Sequence, residues 1–273
     1  MLKTVIFSFL DLPGFILERR VNYHQTPFIF HDWKGYKYWQ YPGDNIKLNC
    51  RRRAVLDSKG VVNYIKKVVE PGWECIDIGA AIGAVSVPLW SQVGQKGIVF
   101  SVEADPHKIE KLSSNLKLNG FKTEFILNIA ISDESSIRGL RCYPENSGWD
   151  TFGDPSFAKD YESFMIDIET INVSDLARKY TLNTIDLVKI DVEGAEVLVL
   201  NGMKPLLDSG RVSQVIFEVN YLMLEGMGAT VTDLLSFWED MDYSLWEITK
   251  NGTLASLDIE KLHHNVCDCV AVL

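Results

Sequence analysis

The chain has 273 residues, of which 47% are hydrophobic and 23% charged, as expected for an ordinary globular α/β domain. Its formal net charge of −10 argues against a nucleic-acid backbone as the main partner, because phosphate binding needs clustered Lys and Arg. The basic run at residues 50–53 is interpreted as a solvated loop before a helix.

The cysteines and the apolar segments point to a cytoplasmic protein. The beginning of the chain lacks the long apolar core and small-residue cleavage site of a signal peptide, and no run approaches the roughly 18 apolar residues of a transmembrane helix. An odd number of scattered cysteines indicates a reducing compartment and structural roles without zinc. The cysteines are Cys50, Cys75, Cys142, Cys267 and Cys269.

Residues 1–53 differ in composition from the rest and are predicted to be an aromatic-rich accessory segment. Residues 27–42 place aromatic side chains on both sides of Asp32 and Gly35, a pattern typical of a β-hairpin. The favoured interpretation is a hairpin that lies on the main core. A cap over a ligand site and an interface for a homo-oligomer are the alternatives.

From residue 54 onward helices and strands alternate, which predicts a doubly wound, mostly parallel sheet with right-handed crossovers and an antiparallel edge strand pair. Residues 133–184 interrupt the alternation with Gly and Pro, and are predicted to be an insert of loop and short strand that borders the substrate site. Helices are predicted at residues 58–69, 80–90, 106–120, 195–210 and 231–242, and strands at 73–79, 97–105, 123–132, 184–194, 212–220, 243–249 and 265–273.

The turn after the first of these strands holds a nucleotide-like pattern with an unusual acid. A dinucleotide fingerprint would read G-x-G-x-x-G from Gly79, but Ala81 stands at the second glycine position, where its methyl group hinders a pyrophosphate. Asp77 would add repulsion. These residues disfavour an NAD-dependent sugar-modifying enzyme. They favour S-adenosylmethionine, whose sulfonium and ammonium are attracted to a carboxylate.

An acid that could bind ribose follows the next strand. Glu103 lies roughly twenty residues beyond the turn, as nucleotide-binding sheets require for an acceptor of ribose hydroxyl bonds. Asp105 lies past the strand end and is predicted to cap the helix that begins at Pro106.

The segments IDIGAAIG, VEADP, NLKLNG, NIAISD and IDLVKIDVEGAEVLVLNGM resemble the FkbM-type family of S-adenosylmethionine-dependent methyltransferases, over about residues 60–273. The sequence departs from the family at Ala81, where Asn is usual. The resemblance implies a class I methyltransferase (Rossmann-like) fold acting on hydroxyl groups of sugars or natural products. The cofactor-binding residues it implies are Asp77, Gly79, Ala80, Ala81, Gly83, Glu103, Ala104, Asn128 (beside the adenine) and Asp191 (at the methionine end).

Charged residues gather at the end of the fourth strand. Strand periodicity puts Lys189, Asp191 and Glu193 on one side. A hydroxyl acceptor needs a base, and we expect Glu193 to serve, with Glu218 on the fifth strand as second choice. Lys189 is a further candidate that could instead join a buried ion-pair network with Glu218 or Asp191. Gly194 is expected to leave room beside the base.

Three alternatives stay open. No metal site is assigned, but Asp191, Glu193 and Glu196 could offer oxygen ligands to Mg²⁺, although Glu196 is better placed to face the first turn of the next helix. A nucleic-acid methyltransferase is disfavoured, because IDVEG stands where an Asn/Asp-Pro-Pro-aromatic motif is common. A catalytically silent scaffold could use the aromatic hairpin as a partner surface. For an enzyme, the acceptor is expected to be a small molecule or carbohydrate, stacked on Trp149, Tyr36 and Trp39.

Overall fold

The computed structural model describes residues 27–40, 55 and 57–273. The predictions for the beginning of the chain, for Cys50 and for the basic run at residues 50–53 lie outside these residues. The strands are β1 (Phe28–His31), β2 (Lys37–Gln40), β3 (Glu74–Ile78), β4 (Ile98–Val102), β5 (Ile126–Leu127), β6 (Ala130–Ile131), β7 (Ile137–Cys142), β8 (Phe164–Ile171), β9 (Ile185–Ile190), β10 (Val212–Val219), β11 (Ser244–Ile248), β12 (Leu254–Ala255) and β13 (Cys267–Val272). The helices are α1 (Lys59–Val68), α2 (Ser86–Val93), α3 (Pro106–Leu118), α4 (Val173–Tyr180), α5 (Glu196–Asp208), α6 (Tyr221–Gly226), α7 (Val231–Ser236) and α8 (Ile259–Leu262).

An eight-stranded sheet forms the centre of the fold, in the order β12-β11-β13-β10-β9-β3-β4-β5. The strands from β10 to β5 run parallel, and β13 runs antiparallel between β10 and β11. This confirms the predicted doubly wound sheet with an antiparallel edge. Strand β9 is buried along almost its whole length, as expected for a parallel strand covered on both faces.

Helices pack on both faces of the sheet. Along β3, Cys75 packs into one apolar cluster and Ile76 and Ile78 into the other, because successive side chains of a strand point to opposite faces. The first cluster includes side chains of α1, α2 and α3, and the second includes those of α4 and α5. Within the described residues, no helix combines the length and the apolar character needed to cross a membrane.

The hairpin β1–β2 lies on the main core, as the favoured interpretation expected. Phe30 and Tyr38 are fully buried. The backbone N–H of Trp39 donates to Oδ1 of Asn115 over 2.8 Å, and that of Lys37 donates to Oδ1 of Asn119 over 3.0 Å. The hairpin is therefore docked on α3 by side chains of that helix and its C-terminal cap.

Three elements differ from their predictions. The third predicted strand is divided between β5 in the central sheet and β6 in a separate sheet of order β6-β8-β7. The insert holds two long strands, β7 and β8, and the helix α4, where loop and short strand were expected. The Gly and Pro residues of the insert lie mostly between β7 and β8 and did not prevent strand formation. The helix predicted from residue 80 begins only at Ser86, because Ala81 has a φ of 46°.

Candidate active site

A cavity of about 1960 Å³ opens at the carboxyl ends of β3, β4, β9 and β10, where ligands of open α/β sheets bind. Its volume exceeds the roughly 300–1,000 Å³ of a typical small-molecule pocket, so a cofactor and a second ligand both have room. The insert closes one side. The predicted site residues that line it are Gly79, Ala80, Ala81, Glu103, Ala104, Lys189, Asp191, Glu193 and Glu218.

Gly79 joins the ends of β3 and β9. It has a φ of +79°, and a Cβ at this position would lie 1.8 Å from the backbone oxygen of Asp191. The N–H groups of Gly79 and Ala80 both donate to the backbone oxygen of Val102, over 3.0 and 2.9 Å. The missing side chain thus makes room for the neighbouring strand, which places Asp191 against the turn.

Glu103 organises the other side of the turn. One carboxylate oxygen accepts from the N–H of Ala81 over 2.7 Å, and the other accepts from the N–H of Asp105 over 2.8 Å. Glu103 is 5% exposed and lines the cavity, and each oxygen keeps a further lone pair for a hydroxyl donor. Ala81 is left-handed, a conformation that Asn tolerates better than Ala. This is a physical reason for the Asn that is usual at this position.

Asp77 does not face the cavity, which corrects the expectation that its charge meets the ligand. Its side chain is fully buried, and Oδ2 accepts from Oγ of Ser86 over 2.5 Å at the beginning of α2, where a negative charge suits the helix dipole. Burial raises the pKa of Asp77, while Lys189, with Nζ 3.9 Å from Oδ1, opposes that rise. Asp77 therefore stabilises the turn by connecting the end of β3 to the beginning of α2, and it does so outside the cavity.

Two further cofactor candidates lie outside the cavity lining. A Cβ at Gly83 would meet Leu112 at 3.0 Å, so this glycine serves the packing of α3. Asn128 is exposed, and its amide donates to the backbone oxygens of Glu103 and Ala104, each over 2.9 Å. Asn128 thus holds the loop after β4, and its contact with adenine stays a prediction.

Three carboxylates meet at the strand ends. Oxygens of Asp191, Glu193 and Glu218 all lie within 4.8 Å of one another. Burial, together with the charges of Asp191 and Glu196, raises the pKa of Glu193 well above its ordinary value. Burial and the charges of Asp191 and Glu193 do the same for Glu218. A carboxylate with a raised pKa is a stronger base than an ordinary one once it is deprotonated.

Lys189 is a charge partner in this group. It is 5% exposed, and its Nζ lies 2.8 Å from Oδ2 of Asp191. Burial would lower the pKa of Lys189, but the charges of Asp191 and Asp77 raise it on balance. Lys189 therefore stays protonated, so it cannot act as a base, and the ion-pair interpretation holds for this residue.

The backbone at Glu193 is held from three directions. Glu193 has a φ of 53°, and its carbonyl accepts from Oγ1 of Thr151 over 2.7 Å. A Cβ at Gly194 would lie 2.3 Å from the backbone oxygen of Met223, so the room expected beside the base is taken by α6. Glu196 is fully buried, and its Oε1 accepts from the N–H groups of Val192 and Gly194. Glu196 thus serves this turn and the beginning of α5.

The insert lines the cavity with aromatic side chains. The ring of Trp149 makes edge-to-face contacts with those of Phe157 and Tyr161, with centroids 5.1 Å apart in both pairs, and Trp149 and Tyr161 line the cavity. None of the described hairpin residues does so. The prediction that Tyr36 and Trp39 border the acceptor is therefore wrong for the described part of the hairpin, because those residues pack on α1 and α3.

Two charged groups in the cavity were missed from the sequence. Asp268 pairs in register with Glu218 across β13 and β10, and burial and Asp191 raise its pKa to about 7. The signal was an acid within an otherwise apolar strand. Lys108 on α3 lies 2.7 Å from Oδ2 of Asp150 and 3.9 Å from Oε1 of Glu103. Its signal was a cation in the first turn of a helix.

Comparison with known proteins assigns the chain to a family. Residues 77–245, more than half of the chain, match the Methyltransferase FkbM domain. Methyltransferase sdnD of Sordaria araneosa is 30% identical over 157 residues, which are 47% of this chain and 59% of that protein. The match thus spans less than two thirds of that relative's length.

Among solved structures, the S-adenosylmethionine-dependent O-methyltransferase of Thermotoga maritima is 14% identical with a TM-score of 0.44, covering 98% of this chain and 91% of that chain. The precorrin-6y C5,15-methyltransferase of Geobacter metallireducens is 16% identical with a TM-score of 0.42, covering 78% and 85%. From the extent of the domain match, the chain belongs to the FkbM methyltransferase family.

Proposed function

We propose that the chain is an S-adenosylmethionine-dependent O-methyltransferase that acts on a hydroxyl group of a sugar or of a natural-product-like small molecule. One observation carries the proposal. The turn that would hold the cofactor and the carboxylates that could accept a proton line the same cavity, joined where Gly79 contacts Asp191.

The residues present fit this cofactor. Glu103 offers a carboxylate, already oriented by two backbone N–H groups, to the two ribose hydroxyls. Asp191 offers a carboxylate to the ammonium of the methionine end. When bound, the cofactor supplies an electrophilic methyl group on a sulfonium. Asp77 does not repel a pyrophosphate, since it is buried behind the turn. The Ala81 methyl group still disfavours NAD. The Glu103 carboxylate suits the ribose of either cofactor and does not discriminate between them.

A hydroxyl group is a weak nucleophile, so its proton must be removed as it attacks. Glu193 is the proposed base. It lines the cavity beside Asp191, its pKa is raised by burial and by neighbouring acids, and Thr151 holds its backbone. Glu218 shares the cluster and is the second candidate.

The acceptor is proposed to lie against the insert. Trp149 and Tyr161 present aromatic surface to the cavity, and such rings pack well on the apolar face of a sugar or a polycyclic compound. The volume beyond the cofactor turn gives this second ligand its space.

Two measurements test the proposal in sequence. Calorimetry should show S-adenosylhomocysteine binding, with NAD binding weaker or absent, and tighter binding of NAD would overturn the cofactor assignment. Transfer of a labelled methyl group to a panel of glycans and hydroxylated small molecules should then identify an acceptor. Binding without any transfer would favour the catalytically silent scaffold.

The base is tested by Glu193→Gln, which keeps the shape and removes the basicity. Turnover should fall by roughly 10²–10⁴, the usual contribution of a positioned base, with the Kd for S-adenosylhomocysteine nearly unchanged. Glu239→Gln, at an exposed position outside the cavity lining, is the control. Wild-type turnover in Glu193→Gln would transfer the role to Glu218, whereas loss of activity with a chelator would indicate a metal held by the three carboxylates.

A further inference from the structure

We propose that Lys108 is a positioning residue that couples the cofactor turn to the insert, by pairing with Glu103 on one side and Asp150 on the other. The inference rests on the proposed function, since it assigns Glu103 to the cofactor and the insert to the acceptor. Its Nζ lies 3.9 Å from Oε1 of Glu103 and 2.7 Å from Oδ2 of Asp150.

The position of Lys108 is unfavourable unless these two partners compensate for it. It follows Pro106 by two residues in the first turn of α3, where the helix dipole repels a cation. Its side chain is only 11% exposed, and burying an ammonium without partners is costly. Burial would lower the pKa of Lys108, but Glu103 and Asp150 raise it on balance, so the group is charged.

The two partners of Lys108 come from different parts of the chain. Glu103 follows β4 and accepts from the N–H of Ala81. Asp150 belongs to the insert, between β7 and β8, and its Oδ1 accepts from the N–H of Tyr143 over 2.9 Å. Both carboxylates are almost buried, each with a side chain 6% exposed. Water therefore cannot fully solvate their negative charges, and they need the Lys108 ammonium as a partner.

The residue after Asp150 contacts the backbone of the proposed base, Glu193. Thr151 follows Asp150 directly, and its Oγ1 donates to the carbonyl of Glu193 over 2.7 Å. The backbone of residues 150–151 therefore connects the ion pair of Lys108 to the turn that presents Glu193. A ligand that binds Glu103 should restrict Lys108 and, through Asp150, the aromatic side chains around Trp149.

Hydrogen exchange of the full chain tests this coupling without a known acceptor. Backbone amides of residues 143–164 should exchange about fivefold or more slowly when S-adenosylhomocysteine saturates the wild-type protein, in the range of typical coupling between sites. In Lys108→Met, measured at saturation, that slowing should be lost. Lys108→Arg keeps the charge and can reach both carboxylates, so it should restore most of it. Lys117→Met, an exposed lysine on the same helix, should behave as wild type.

The outcomes separate the coupling from the proposed function. Calorimetry on the wild type reports cofactor binding by itself, and no binding would overturn both. Binding with no slowing in the insert, or equal slowing in wild type and Lys108→Met, would overturn the coupling alone. If Lys108→Met does not fold, Asp150→Asn removes the other end of the pair. It should bind S-adenosylhomocysteine nearly as wild type does and should lose the slowing, and retained slowing there would also refute the proposal.

Discussion

Replacing Gly79 by Ala should destabilise the protein, because the new methyl group would push apart the ends of β3 and β9, which are in contact at this residue. The new Cβ would lie 1.8 Å from the backbone oxygen of Asp191. Restoring an ordinary contact of at least about 3 Å requires the strand ends to separate by more than 1 Å, and overpacking of this kind costs about 1–3 kcal/mol. The φ of +79° adds about 1–2 kcal/mol for any residue with a Cβ.

Gly120→Ala is the matched control for the backbone conformation. Gly120 has the same φ of +79°, and nothing lies within 4 Å of a Cβ built there. Both substitutions reduce the conformational entropy of the unfolded chain equally, which by itself stabilises the folded state by about 0.4–1 kcal/mol in each variant. The difference between the two variants therefore isolates the strand contact.

Urea denaturation of the ligand-free chain measures both changes. We expect Gly79→Ala to reduce the free energy of unfolding by about 1–4.6 kcal/mol and Gly120→Ala by about 0–1.6 kcal/mol. Equal losses of unfolding free energy in the two variants would refute the close approach of Asp191 to the turn. They would also refute the contact that joins the proposed cofactor turn to the carboxylate cluster.

Three more expectations concern single side chains. Ala81→Asn should raise the free energy of unfolding by up to about 1 kcal/mol, because Asn tolerates the left-handed φ of 46°, and a loss measured in urea would contradict the strain at this position. Glu103→Ala should weaken S-adenosylhomocysteine binding by roughly 1.5–3 kcal/mol for each lost ribose bond, and an unchanged Kd in calorimetry would remove Glu103 from the ribose site. The pKa of Asp268 is raised to about 7 in the folded chain, against about 4 when unfolded. The folded state therefore holds this proton more tightly, and stability should fall as pH rises from 4 to 7. Asp268→Asn should flatten that fall in denaturation curves recorded across pH, and an unaltered slope would show that another group causes it.

Much of the fold could be predicted because its causes are local. The buried strand before Gly79, the helix opened by Pro106 and capped by Asp105, and the final strand in the antiparallel edge each carry their own periodicity and end signals. Glu103 was found in the same way, because its spacing from the turn follows from the strand-helix-strand repeat.

The chemistry of individual side chains depended on neighbours distant in sequence. Gly194 was predicted to leave room beside the base, but that room holds the backbone of Met223, and the space beside Gly79 is likewise filled by the backbone of Asp191. Asp77 was expected at the ligand, yet strand alternation turned it toward α2, where Ser86 donates a hydrogen bond to it, and Nζ of Lys189 on the neighbouring strand β9 lies 3.9 Å from its Oδ1.

What the sequence determined by itself is the alternation of elements, the turn and the position of Glu103 at the end of the next strand, since these are set by residues within one strand and the next helix. The tertiary structure decided which charges share the cavity. The order β13-β10-β9-β3-β4 brings Asp268 beside Glu218, and the fold of the insert brings Asp150 to Lys108. Because these pairs are 40 or more residues apart in the chain, no local pattern encodes them, and only the packing of strands and insert places them in contact.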